Sequence, residues 1–173
     1  MSPEIRVAPM HTAPPCYAAL HAKVSEALGP GRRPILIGLD GRNGHGKSSA
    51  ASWLAWQFEM SAIHLDLFIE EQHSEGGAIC NWRTEDLARC IKSRGAKPLV
   101  IEGVLLLDVL SAIQKTPDFL VIVERSDPPR SRDPTQDDDL IDRREFSLSP
   151  QITKYFERRR LPDTADFKLA WNG

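Results

Sequence analysis

The sequence predicts an α/β domain in three layers, a five-stranded and mostly parallel sheet covered by helices on both faces. Three observations predict it. Short β-branched apolar runs alternate with helix-period stretches along the chain, which is the pattern of βαβ units. The polar, glycine-bearing segments fall where the apolar runs end, the place where ligands bind in such sheets. The 173 residues suit a single domain with a sizeable core, 1–173.

The elements follow in order. Residues 1–15 carry Pro3, Pro9, Pro14 and Pro15 and are expected to form a loose arm. "CYAALHAKVSEALG" (16–29) places Tyr17, Leu20, Val24 and Leu28 at helical spacing, with Gly29-Pro30 as the stop. "PILIGLD" (34–40) has the composition of a strand buried on both faces. "KSSAASWLAWQFE" (47–59) reads as a helix with Trp53, Leu54 and Phe58 inward, and with Trp53 and Trp56 as packing residues. "SAIHLDLFI" (61–69) reads as a second strand, and the following segment through Trp82 as a surface loop. "TEDLARCIKSRG" (84–95) has a Thr start and a Gly stop and reads as a helix. "KPLVIEG" (97–103) is a third strand, "VLLLDVLSAIQKT" a helix and "PDFLVIVER" (117–125) a fourth strand. A polar, Pro-rich loop comes next (126–139), then helical segments in "DLIDRREFSL" and "SPQITKYFERRRL", and a fifth strand in "ADFKLAWN" (165–172).

Composition excludes several classes. With 41% hydrophobic and 27% charged residues the chain is a globular protein. A net charge of -2 gives no electrostatic footprint for nucleic acid. The longest apolar stretch contains Glu102 and Asp108 and is too short and too charged to span a bilayer. No secretory signal is visible at the N-terminus. Cys16, Cys80 and Cys90 lack metal spacing and fit free thiols in a reducing cytoplasm. No nucleic-acid or membrane partner is therefore expected.

The segment "DGRNGHGKSS" carries the chemistry. Gly41, Gly46, Lys47 and Ser48 match G-x-x-x-x-G-K-[ST], with Gly44 an additional glycine. Glycines allow positive φ and close approach of backbone to a ligand. Successive N–H groups then form an anion nest, and the next helix adds its positive end. The phosphate-binding set is Gly41, Asn43, Gly44, His45, Gly46, Lys47, Ser48 and Ser49, with His45 at a position where the backbone does the binding. Lys47 would reach the β- and γ-phosphates and Ser48 would ligate Mg²⁺. The spacing does not fit the dinucleotide pattern G-x-G-x-x-G.

Carboxylates complete the expected site. Asp66, at the end of the second predicted strand, is placed to accept a proton from a substrate hydroxyl; a turn-capping Asp is the plain alternative. Glu102, in "LVIEG", is placed to hold Mg²⁺ through water, with a structural salt bridge as the alternative. The metal set is thus Ser48, Asp66 and Glu102. Arg125, Arg130, Arg132, Arg143 and Arg144 flank or follow the Pro-rich loop, where a lid over 126–146 would use them to neutralise transferring charge; a solvated face is the alternative. The guanine signature N-K-x-D and a D-x-x-G after the third strand are absent, which favours ATP over GTP.

"ILIGLDGRNGHGKSS", "IHLDLFI", "NWRTEDL" and "LVIEGVLLL" together resemble the uridine kinase group of P-loop kinases, which includes phosphoribulokinase and nicotinamide riboside kinase. These motifs cover residues 35–107 in the family's order. The resemblance implies the P-loop NTPase fold, ATP and Mg²⁺ as cofactors, and γ-phosphate transfer to a small hydroxyl-bearing acceptor. It implies Asp66 as base or metal-associated residue, Glu102 near metal or acceptor, and "ADFKLAW" as the last core strand, near the nucleotide base. Leu67 stands where the family often has a second acidic residue, "DRREFSL" echoes the lid only loosely, and no acceptor-binding insert is recognisable. A nucleotide-binding regulatory NTPase without transfer activity is the second functional class.

Overall fold

A computed structural model describes residues 14–70, 81–125, 151–161 and 163–171. The expected N-terminal arm (up to residue 13), Cys80, and the lid at 126–146 with Arg130, Arg132, Arg143 and Arg144 lie outside the described residues.

Helix α1 (Pro15–Leu28) opens on Pro14 and Pro15, whose fixed φ suits a first turn, and stops at Gly29. Strand β1 (Leu36–Gly41) leads through the glycine loop into α2 (Lys47–Gln57). Strand β2 (Ser61–His64) is followed by a 3₁₀ turn, Leu65–Phe68, and a short antiparallel pair, β3 (Ile69–Glu70) with β4 (Asn81–Trp82). Helix α3 (Thr84–Ser93), β5 (Leu99–Gly103), α4 (Leu106–Ala112) and β6 (Phe119–Arg125) follow. Residues 151–159 are helical (α5), and β7 (Phe167–Trp171) closes the order.

The five long strands form one sheet in the order β2-β5-β1-β6-β7, every neighbouring pair parallel. The crossovers from β1 and from β5 lead toward opposite edges of the sheet, so the crevice at the carboxyl end of β1 is the topological switch point. Side chains of a strand alternate between faces, and the two halves of the core show it. Ile37, Leu39, Val100, Val121 and Val123 join α1 and α2 on one face. Leu36, Leu99, Ile101, Leu120 and Ile122 join α3, α4 and Tyr155 of α5 on the other. Tyr17 and Trp53 pack at 4.9 Å between ring centroids and tie α1 to α2. No helix among the described residues is long and apolar enough to cross a membrane.

Three expectations change. The apolar run 61–69 is a strand only through His64. Leu65 then turns inward and is fully buried in the second cluster, which leaves Asp66 and Leu67 exposed on the 3₁₀ turn. Part of the expected surface loop is the β3–β4 pair. Trp56, expected to pack, is 67% exposed, because the inward face of α2 is Lys47, Ala50, Ala51 and Leu54.

Gly103, at the end of β5, makes the turn at Leu65 fit: a Cβ there would lie 2.6 Å from the Leu65 Cβ. Gly103→Ala is expected to cost about 1–3 kcal/mol through overpacking and to displace the turn that carries Asp66. Urea unfolding of the two proteins measures the cost; equal midpoints would contradict the close fit.

Candidate functional site

Strand β1 is buried at all six positions and delivers the chain to the sheet's carboxyl edge at Gly41. A Cβ at residue 41 would run into the Val123 carbonyl oxygen, so only glycine fits beside β6. Gly44 and Gly46 adopt left-handed φ of 72° and 83°, and Gly46 is the N-cap of α2 with no side chain capping the helix. The first-turn N–H groups of α2 therefore remain directed at the loop interior, the arrangement that binds anions. Lys47 is buried, and its Nζ donates to the Arg42 carbonyl at 2.8 Å, across the loop that it would serve. Ser48 and Ser49 are exposed on the first turn, and Asn43 and His45 are half-buried in the loop. Burial lowers the His45 pKa, with Lys47 and Arg42 pushing the same way against the Val123 hydrogen bond.

Alternation along β5 and β2 sets the next contacts. Val100 and Ala62 face α2, so Glu102 and His64, two residues further along, face it too. Glu102 is 3% exposed; its Oε1 accepts from Ser48 Oγ at 2.9 Å and lies 2.7 Å from His64 Nδ1. Ser48 and Glu102 are hard oxygen donors, the kind that Mg²⁺ selects. Asp66 is exposed on its turn and makes no hydrogen bond to Ser48, His64 or Glu102 among the described residues. Nor does any group of three or more His, Cys, Asp or Glu side chains suited to a metal occur among them. Ser48 and Glu102 of the expected metal set thus share a hydrogen bond, and His64, which the motif contained but to which the sequence gave no role, contacts the same Glu102 oxygen.

The opposite face of β1 holds a residue the sequence reading passed over. Asp40 is fully buried; its Oδ1 accepts from the Gly41 N–H at 2.7 Å and its Oδ2 from the Tyr155 hydroxyl. Burial raises the Asp40 pKa to about 6, against the opposing pull of Tyr155, Gly41 and Lys47. Burial and the neighbouring carboxylate raise Tyr155 as well, so the phenol stays a donor. A polar residue between "IGL" and "G" reads as a strand end, and its partner is 115 positions away; no local signal links them.

Beside the loop lies a cleft of about 390 Å³ lined by Arg42, His45, Glu124, Arg125, Phe156 and neighbours. The Arg42 guanidinium sits 5.4 Å over the Phe156 ring. Arg125 Nε is buried in this region without an acceptor among the described residues.

This architecture and loop define the P-loop NTPase class of α/β folds. A solved structure described as that of a possible uridine kinase from Bacillus stearothermophilus is similar to the chain with a TM-score of 0.59 at 15% identity, over 89% of this chain and 97% of that chain. No family model and no curated protein matches the sequence.

Asp40 fixes a pH prediction. Its raised pKa makes the folded state bind a proton more tightly than the unfolded one. Its contribution to stability is then full below about pH 4 and is lost as pH rises through about 6. Relative to Asp40→Asn, the wild-type protein should lose stability between pH 4 and pH 7, by about 1.4 kcal/mol per unit of pKa difference. Urea unfolding across that range checks it; a difference that stays flat with pH would contradict a burdened Asp40.

Proposed function

We propose that the chain is an ATP-dependent kinase that transfers the γ-phosphoryl group to a hydroxyl of a small molecule. The observation that carries this reading is the contact of Ser48 with the buried Glu102 beside Lys47, at the carboxyl edge of β1 and β5. The reading is also supported by the likeness to a structure described as a possible uridine kinase.

In this reading the amides of residues 43–48 and the Lys47 ammonium hold the β- and γ-phosphates, so that the donor is fixed and its charge neutralised before reaction. Ser48 and Glu102 would hold Mg²⁺, which would supply positive charge against the phosphates and the leaving oxygen. The Arg42–Phe156 cleft takes the nucleoside end of ATP, with Arg125 at its wall. The acceptor lies on the β2 side, over the 3₁₀ turn. Its hydroxyl oxygen bonds to the γ-phosphorus as the bond to the β–γ bridging oxygen breaks, and its proton passes to Asp66. Arg143 and Arg144 are proposed to neutralise the transferring group. His64 keeps Glu102 aimed at Ser48. The protein is proposed to work in the cytoplasm.

Labelled ATP with a panel of nucleosides, sugar phosphates and vitamin alcohols tests the reaction. Asp66→Asn should lower acceptor-dependent transfer by about 10²–10⁴-fold while leaving the Kd for Mg–ATP within about threefold of wild type, as that side chain makes no phosphate contact. Lys47→Ala should raise that Kd at least about tenfold. ATP binding with no acceptor in the panel would favour the regulatory NTPase instead; full transfer by Asp66→Asn would remove Asp66 from its role.

A further inference from the structure

Helix α5 is fastened to the phosphate loop through several side chains, and one of them, Tyr155, has no part in the reaction above. Arg42, the second residue of the loop segment, donates from Nη1 to Thr153 Oγ1 at 3.3 Å and covers the Phe156 ring. Between those two contacts, Tyr155 reaches under the loop. Its hydroxyl donates to Asp40 Oδ2 and accepts from the Leu107 N–H at 3.0 Å. Asp40 in turn holds the Gly41 N–H. One phenol therefore joins the end of β1, the amino end of α4 and α5 at the residue where strand becomes loop.

The arrangement is costly for a purely structural fastening. The phenol packs with Leu106, Leu110 and Ile122 and holds a fully buried carboxylate, where an apolar pair of similar volume would pack without desolvating a charge. A titratable phenol and a cation face Asp40 from two packed elements: Tyr155 from α5, which donates to it, and Lys47 from α2, whose ammonium attracts it. The polar pair thus stands at the hinge of the loop and next to the cation that closes it.

We propose that Tyr155 is a positioning residue of the nucleotide site: by orienting Asp40 it fixes the Gly41 end of the phosphate loop and couples that loop to helix α5. The proposal rests on the reading of the loop as the ATP cradle. Without the hydroxyl, Asp40 Oδ2 loses the phenol that orients it and the Leu107 N–H loses its phenol acceptor, so the carboxylate is held less firmly against the Gly41 N–H. The amides then spend part of their time in arrangements that do not match the phosphates, and binding weakens by the fraction lost.

The test is a double-variant cycle with Tyr155→Phe, Asp40→Asn and their combination, read by calorimetric titration of Mg–ATP and by amide hydrogen exchange over residues 36–47 without ligand. Each single change should raise Kd about tenfold, the scale of one charge-assisted hydrogen bond, and speed exchange at Gly41. The combined variant should bind no worse than about twofold below the weaker single, because the second change removes an interaction already broken. A lower melting temperature with unchanged Kd, or independent effects that multiply, would overturn the proposal in favour of a structural fastening. Should Tyr155→Phe not fold, Asp40→Asn decides alone: a Kd within about twofold of wild type overturns it. Should the wild-type protein bind no nucleotide, the ATP reading fails by itself. Unchanged exchange at Gly41 in the ligand-free variants would then count against the positioning role.

Discussion

Strand β1 has a parallel partner on each side and an apolar layer on each face, and this double burial governs everything at its carboxyl end. No polar side chain can stand along the strand without a partner, so polarity is deferred to the last turn of chain, where Asp40 and the glycine loop meet the edge of the sheet. The neighbours obey the same constraint. β5 is apolar until Glu102, and β6 until Glu124 and Arg125. Parallel pairing aligns these ends, and the chemistry-bearing residues therefore gather at one edge without any of them being close in sequence.

Alternation then sorts them. Glu102 and His64 fall on the α2 face with Ser48, where an oxygen pair suited to Mg²⁺ forms. Asp40 falls on the α4–α5 face and is held by Tyr155. The loop between them is gripped from both layers, through Lys47 on one side and Asp40 on the other. Both carboxylates are almost fully buried, and buried carboxylates cost stability unless hydrogen-bonded. A site that spends stability in this way is characteristic of function.

The sequence and the structure agree where the signal is local. The glycine spacing, the start of α2 at Lys47 and Glu102 at a strand end are each written within a few residues, and the backbone follows them. Disagreement begins where distant packing decides. "SAIHLDLFI" has an unbroken strand composition, yet it turns at Leu65 because Gly103 leaves a space that Leu65 fills. The same turn leaves Asp66 exposed and without a hydrogen bond to Glu102. Asp40 was illegible for a related reason: its meaning depends on a tyrosine far along the chain. Trp56 shows the limit of composition, since a tryptophan on a core helix looks buried until the helix phase is known.

The cradle itself is the claim on which the functional account stands, and amide chemical shifts report on it directly. Titrating ¹⁵N-labelled protein with magnesium pyrophosphate should move the amides of Gly44, Gly46, Lys47 and Ser48 first and most, in a saturable manner, with smaller changes at Glu102 and His64. Shifts confined to other surfaces, or a loop whose amides do not respond at saturating ligand, would contradict it.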